Sequence, residues 1–246
     1  MTKTLLIFFV FLTAGLFAQN NLQDLRIYHD VYTPEAVLDE TYGITMYNKF
    51  NARLGGDSVR NCKGYACSDF VEDYYTTGQL LHKGYYLNGQ VTSYKNWYPN
   101  GNMERNFRVI DANKSKETLY YSDGTKKSEI TYLGDFAIQW EDYYPNGVLE
   151  YEEKYHSSNE FYLKKNTYYD NGQPQSTLEL DNKKKLIFIK TEYYPDGKIK
   201  EQGEVLYNKA IFDYQKYGTW VYNDENGVLK KQETYTNGKV TKEKTF

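Results

Sequence analysis

Histidine is scarce in this chain: His29, His82 and His156 are the three among 246 residues, each falls in a different stretch, and no two have metal-ligand spacing. A metal centre would need the fold to gather unrelated segments, so none is expected. Cysteine is scarcer still, with Cys62 and Cys67 alone and four residues between them, whereas redox-active Cys-x-x-Cys chemistry has two. There is no Gly-x-Ser-x-Gly elbow and no Gly-Lys-Ser/Thr ending to make Gly55-Gly56-Asp57-Ser58 a phosphate loop, so that segment reads as a polar turn. Charge of one sign is missing too: 30 Lys plus Arg face 33 Asp plus Glu, a net −3. Lysines are interspersed with acids, even Lys183-Lys184-Lys185 following Asp181, which reads as a solvated mixed surface. Nucleic acid is therefore not an expected partner, because its binding relies on clustered positive charge and counterion release. The couplets Glu141-Asp142 and Glu152-Glu153 offer carboxylates, yet neighbours in a strand point to opposite faces, so neither couplet is the facing pair of a glycosidase.

One long apolar run exists, Leu5 to Ala18 behind Lys3. It is shorter than the ~20 residues a bilayer crossing takes, and Ala18 supplies the small residue of a cleavage site. Residues 1–18 are thus expected to be a secretory signal peptide, with a retained anchor as the alternative. No second hydrophobic segment follows, so no transmembrane segment is expected after cleavage. The expected location is exported: periplasmic, outer-surface or extracellular.

What the chain has in abundance is tyrosine, 28 residues, which favours pleated, half-buried surfaces. The tyrosines recur in a motif: YYTTG ending at Gly78, YYLNG at Gly89, WYPNG at Gly101, YYSDG at Gly124, YYPNG at Gly147, YYDNG at Gly172 and YYPDG at Gly197. Looser copies end at Gly227 and Gly238. The glycines are spaced 11 or 12 residues apart, or about twice that, and the long intervals carry their own turn residues at Asp111/Asn113, Gly134/Asp135, Ser157–Asn159, Asp181/Asn182 and Asn208. A reversal every 11 to 12 residues leaves no room for crossover helices, predicting an antiparallel meander of some fifteen strands.

Pro145-Asn146-Gly147 suits a three-residue hairpin loop, with Pro entering a type I turn and Gly in the left-handed position of a G1 bulge. Tyr144 then faces Val148, and Tyr143 faces Leu149. Carried to every copy, this register puts the mostly apolar residues two after the Gly, such as Leu80, Val91, Leu149 and Ile199, on the face of the first aromatic. The second tyrosines, Tyr75, Tyr86, Tyr98, Tyr121, Tyr144, Tyr169 and Tyr194, fall on the other, outward face; Lys126 and Pro174 break the inward pattern. That outward row either grips a protein, peptide or glycan or only packs cross-strand.

These strings resemble the MORN-variant repeat of YwqK-like antitoxins, from about Tyr74 to Lys242, most specifically in GTWVYNDENGVLKKQETYTNGKV from Gly218. With its LFAQ segment and Tyr/Asn/Lys-rich composition, the chain looks more like secreted members from the Bacteroidetes. The resemblance implies hairpin repeats and an interaction role, without a catalytic residue or cofactor.

The expected fold is all-β: an elongated, curled antiparallel meander of hairpin repeats over 71–246, behind a less regular N-terminal cap over 19–70 with a short helix near Pro34–Asp39. In an oxidising compartment Cys62 and Cys67 are expected to form a disulfide, with free thiols or a metal site as alternatives. A type II′ turn at Gly64-Tyr65 would place them on a non-hydrogen-bonded pair. The expected function is a non-enzymatic binding or scaffold module of the envelope. An antitoxin or immunity protein acting by surface binding is the alternative, and an envelope hydrolase a third.

Overall fold

The computed structural model describes residues 28–39 and 43–246; the expected signal peptide lies outside them. The chain forms two compact units, divided between Asn102 and Met103.

In the first unit, β1 (Val31–Tyr32), the one-turn helix α1 (Pro34–Val37) and two short 3-10 segments precede a hairpin of β2 (Asn61–Cys62) and β3 (Tyr65–Ala66). Then come β4 (Asp69–Tyr75), β5 (Leu80–Leu87) and β6 (Gln90–Trp97). The sheet order is β1-β4-β5-β6, with β1 parallel to β4 and the others antiparallel. Val71, Asp73 and Tyr75 of β4 are buried in alternation, as are His82, Gly84 and Tyr86 of β5. Successive side chains face opposite ways, and the cap segment covers one face. Tyr47 shows the covering directly: its ring stacks on His82, centroids 3.7 Å apart.

The second unit is a succession of antiparallel strands: β7 (Met103–Val109), β8 (Lys114–Tyr120), β9 (Lys126–Leu133), β10 (Phe136–Tyr143), β11 (Leu149–Tyr155) and β12 (Tyr162–Tyr168). They continue as β13 (Pro174–Asn182), β14 (Ile187–Tyr193), β15 (Ile199–Asn208), β16 (Asp213–Asn223), β17 (Leu229–Thr236) and β18 (Lys239–Thr245). From β4 to β18 the chain thus makes the fifteen strands that the turn spacing predicts. Its apolar centre is Phe161, Leu178, Phe188, Val205, Tyr207 and Trp220, whereas β10 and β11 bury no residue fully.

The three-residue loop is present. Gly147 N–H donates to Tyr144 O and Tyr144 N–H to Val148 O, both at 2.8 Å, Gly147 has φ 82°, and Tyr143 faces Leu149. The same bond pair closes the loops ending at Gly78, Gly101, Gly124, Gly172, Gly197 and Gly227. The central Asn or Asp serves as a turn acceptor, as when Asn146 Oδ1 takes the Val148 N–H at 3.0 Å.

Extending that loop to every copy is corrected at two. Leu87 pairs with Gln90 and Thr236 with Lys239, so Asn88-Gly89 and Asn237-Gly238 are two-residue turns. Asn88 (φ 51°) and Asn237 (φ 50°) accept the left-handed conformation that a type I′ turn needs at its first position. The sequence reading also misses a bulge just past six of the three-residue loops. Asp142 faces Tyr151 while Tyr143 faces Leu149, leaving Glu150 as the extra residue. Equivalent shifts occur at Asp73/Tyr74, Leu119/Tyr120, Thr167/Tyr168, Glu192/Tyr193 and Tyr222/Asn223. Each shift resets the alternation, so the face sorted at the turn does not persist along the following strand. The turn expected at Asp181/Asn182 falls later, because β13 runs through Asn182 and the chain reverses over Lys183–Leu186.

Cys62 and Cys67 are disulfide-bonded, Cα atoms 5.0 Å apart. The turn beside them is one residue earlier than expected. Cys62 pairs with Tyr65 and Asn61 with Ala66, so Lys63 and Gly64, at φ 53° and 88°, are the central pair of a type I′ turn instead of a type II′ turn at Gly64-Tyr65. Cys67 lies past the hairpin ladder and donates its N–H to Arg60 O at 2.9 Å.

Candidate binding surface

The outward tyrosine row does not survive as one surface. Tyr75 and Tyr86 are buried, at 1% and 0% exposure, which removes both as ligand contacts. Tyr75 lies beside β1, and Tyr86 faces Val91 beneath the cap because of its two-residue turn. Tyr98, Tyr121, Tyr144, Tyr169 and Tyr194 are half-buried, as are most of the first aromatics. The expected contrast, with the first aromatic the more buried, is therefore reversed at Tyr74/Tyr75 and Tyr85/Tyr86, and both members are half-buried in the other five pairs.

The second tyrosines stitch repeats together. Tyr75 OH donates to Trp97 O at 2.8 Å, Tyr121 OH to Tyr143 O at 2.7 Å, Tyr144 OH to Tyr168 O at 2.9 Å, and Tyr169 OH to Tyr193 O at 3.0 Å. Tyr194 OH reaches Asn223 O at 3.0 Å. Each phenol thus reaches the main chain beside the next loop of its kind. Two loop asparagines do the same, Asn146 Nδ2 donating to Asp170 O at 2.9 Å and Asn171 Nδ2 to Pro195 O at 3.2 Å.

The first aromatics are held by acids and lysines. Tyr143 OH donates to Glu141 Oε2 at 2.6 Å, while Lys126 Nζ donates to Tyr143 OH at 2.8 Å and sits 4.0 Å from its ring centroid. That cation–π contact explains a lysine at an inward position. Burial first, and then Glu141, push the Tyr143 phenol well up. Glu152 gathers Lys164 Nζ at 2.6 Å, Asn166 Nδ2 at 3.0 Å and the Tyr168 hydroxyl. Burial alone would raise its pKa, but these donors outweigh burial and hold it below the ordinary value. Asp142 bonds Trp140 Nε1 and Ser128 Oγ instead, and the Glu141-Asp142 couplet engages separate partners.

A cleft of about 360 Å³ opens in the second unit between β12 and β16. Leu178, Val205 and Trp220 line it with apolar surface, Thr167, Ser176 and Tyr214 with hydroxyls, and Lys165, Lys190, Lys216 and Asp213 with charge. Gly203 makes room for the Trp220 ring, with which a Cβ there would collide. Trp220 Nε1 donates to Glu204 O at 2.8 Å, and Lys216 Nζ lies 3.8 Å from the indole. Lys216 pairs with Glu201 at 3.2 Å and Lys190 with Glu192 at 3.3 Å. Burial pushes the Tyr214 phenol up to about 12.

The densest polar cluster lies in the first unit. Asp73, 0% exposed, accepts Arg60 through both oxygens at 2.6 and 2.7 Å, Tyr47 OH at 2.7 Å and Asp30 N–H at 2.9 Å. Burial alone would raise the Asp73 pKa, but the Arg60 bonds and charge outweigh it and lower the value. His82 Nδ1 donates to Asn96 Oδ1 at 2.7 Å, leaving Nε2 to accept Tyr86 OH at 3.1 Å. Burial, the largest influence, pushes the imidazole down to about 4, so it is neutral at pH 7. Nothing in the spacing of these residues along the sequence points to this cluster. Among the described residues, no group of three or more His, Cys, Asp or Glu is placed to hold a metal ion.

These features define a hairpin-repeat β protein whose polar and aromatic side chains are spent chiefly on joining one repeat to the next. The MORN repeat variant family matches residues 138–157, 189–206 and 216–237, which are the β10–β11, β14–β15 and β16–β17 hairpins. Repeats of this family are generally binding modules. No curated protein matches the chain. Among solved structures, a mutant of S. aureus TarM in complex with Fondaparinux, alpha-GlcNAc-glycerol and UDP is similar at 10% identity and TM-score 0.26, over 36% of this chain and 18% of that one. A second TarM crystal structure matches at 10% identity and TM-score 0.26, over 35% and 17%. The present chain thus spans less than a fifth of either structure's length, and at that TM-score the likeness says nothing about fold or ligand.

Proposed function

We propose that the chain is a non-enzymatic, exported binding or scaffold module of the cell envelope, with a protein, peptide or glycan as partner. The observation that carries this reading is the second unit's surface. Strands β10 and β11 bury none of their residues fully, and most of their side chains, aromatic, acidic and basic, are half-exposed. Turn stitching holds such a surface in register without covering it, and repeat arrays use continuous surfaces of this kind for binding. The disulfide of the first unit fits an oxidising compartment. No helix among the described residues is long and apolar enough to cross a membrane. His82, whose imidazole burial pushes down to about 4 and so away from a working pH, is sealed at 0% exposure beside Asp73, which suits support better than turnover.

The test is retention of envelope components on the immobilised exported protein, competed by excess free protein. A partner that is retained and competed away supports the reading. If neither protein nor glycan fractions contain a competable partner, the reading falls.

A further inference from the structure

The loop between β7 and β8 leads into Asn113-Lys114-Ser115, the single Asn-x-Ser/Thr triplet in the sequence. In an exported chain that triplet is the acceptor pattern for an N-linked glycan. A triplet alone arises by chance, but three features of the fold single this one out. Asn113 is exposed, and its side-chain amide makes no hydrogen bond among the described residues. The loop is held by main chain instead: Asn113 N–H donates to Asp111 Oδ1 at 2.9 Å, and Asn113 O accepts the Gly134 N–H at 2.7 Å. Ser115, in β8, is 0% exposed, and its hydroxyl has no hydrogen-bond partner among the described residues. A buried, unpaired hydroxyl costs stability that an alanine would not, so packing gives no reason for serine here. Acceptor recognition gives one, since a glycan-transferring enzyme reads the hydroxyl two residues past the Asn in the unfolded chain, before β8 forms. Apolar side chains crowd the same rim. Val109 and Ile110 precede the loop, Leu133 and Phe136 flank the β9–β10 turn that the Gly134 bond ties to it, and all four are exposed, Ile110 to 49% and Phe136 to 64%. Apolar surface gathered in one place marks a site that something covers.

We propose that Asn113 carries an N-linked oligosaccharide, attached during export, that lies over Val109, Ile110, Leu133 and Phe136. The donor is a polyprenyl-pyrophosphate-linked oligosaccharide. The Asn113 amide nitrogen bonds to the anomeric carbon of its first sugar, and the bond from that carbon to the pyrophosphate oxygen breaks. The lipid pyrophosphate leaves with the electron pair, and the amide gives up one proton to a base of the transferring enzyme. C–H faces of the sugars then rest on the apolar side chains while their hydroxyls meet water. A protein covering the same rim would call for neither a free Asn113 amide nor a buried Ser115 hydroxyl. The assignment goes beyond the binding reading above and rests only on its export half.

The experiment is mass spectrometry of the full chain as exported by its native cells, intact and as the peptide that contains Asn113, for the wild type and for Asn113→Gln, Ser115→Ala and Ser115→Thr. The wild-type peptide should carry added mass with sugar fragment ions. Asn113→Gln and Ser115→Ala should lose it, and Ser115→Thr should keep it, because threonine completes the same triplet. Ser115→Ala should melt no lower than Asn113→Gln, since the hydroxyl it removes bonds nothing. Both bare variants should bind more of a dye that reports apolar surface than the wild type does. An unmodified Asn113 in the wild type, added mass that survives Ser115→Ala, Ser115→Ala melting well below Asn113→Gln, or no gain in dye binding by Asn113→Gln would overturn the assignment. Asn113 is exposed, so its variant keeps the test open if Ser115→Ala does not fold. The same spectra read the export half: a bare Asn113 in a chain that has lost residues 1–18 and joined Cys62 to Cys67 sinks the glycan alone, whereas an uncleaved, reduced chain sinks both.

Discussion

Strands β4 and β5 alternate between buried and exposed positions, while β10 and β11, built from the same motif, bury nothing fully. The difference is what lies over the sheet. Above β4–β6, the cap brings Tyr47 and Arg60 onto one face, where His82 and Asp73 receive them. Among the described residues no such layer lies over β10 and β11, so their packing is shared between both faces. One hairpin motif thus serves as half of a sealed core or as an open platform, and the residues that decide between the two lie outside the motif.

Breaking the sealed side gives the largest expected effect. Asp73→Ala would take both short bonds from the buried Arg60 guanidinium and leave it Asp30 at 3.2 Å as its remaining ion pair, a loss on the order of 3–5 kcal/mol. Hydrogen exchange should show β4–β6 amides losing protection while those of β14–β16 keep theirs. Equal loss in both would mean that the two regions are not energetically distinct.

Acid sharpens the same contrast. His82 has a folded pKa of about 4, below its ordinary 6.5, so the unfolded chain takes up the proton first as pH falls. Its contribution to stability is complete above pH 6.5 and is lost between there and about pH 4, amounting to roughly 3 kcal/mol. Exchange in β4–β6 should therefore accelerate over that window, and His82→Asn should flatten the response. A wild-type response with no slope in that window would contradict the burial argument.

On the open side, Gly203→Ala places a methyl where the Trp220 ring lies. It should cost about 1–3 kcal/mol through overpacking, with the indole emission shifting to the red. Unchanged emission and stability would mean that the ring moves aside freely. The smallest expected effect comes from Tyr144→Phe, which removes one phenol bond to Tyr168 O and should lower stability by about 1 kcal/mol. The triple change of Tyr121, Tyr144 and Tyr169 to Phe should approach the sum of three such losses. If stability holds while partner binding falls, these rings serve recognition instead of stitching.

The hairpins were legible because turn chemistry is local. Pro145-Asn146-Gly147 carries its loop type within three residues, and the Tyr143–Leu149 pairing follows. The bulge at Glu150 has no comparable residue signature, so the faces assigned beyond each turn failed. Tyr86 was misplaced for a second local reason, since Asn88-Gly89 closes as a two-residue turn, one residue tighter than the Pro145-Asn146-Gly147 loop. Burial of Tyr75 and Tyr86 also depends on chain segments with no periodicity to read. The cleft lysines were read as solvated charge because their convergence follows from how β12–β16 pack, which the interleaving of Lys and Glu does not reveal.

The phenol bonds also bear on how such a chain evolves. Each tyrosine reaches a backbone carbonyl beside the next loop of its kind, 22 to 29 positions along. Every residue type presents a carbonyl, so the side chain at the acceptor position is free to drift without breaking the bond. What must be conserved is parity. Gain or loss of a whole strand pair returns each tyrosine to an equivalent carbonyl, whereas insertion of a single strand would carry that carbonyl to the opposite rim. Genetic duplication can therefore lengthen the array in two-strand steps, and the individual copies can diverge as widely as YYPNG and YYSDG already have.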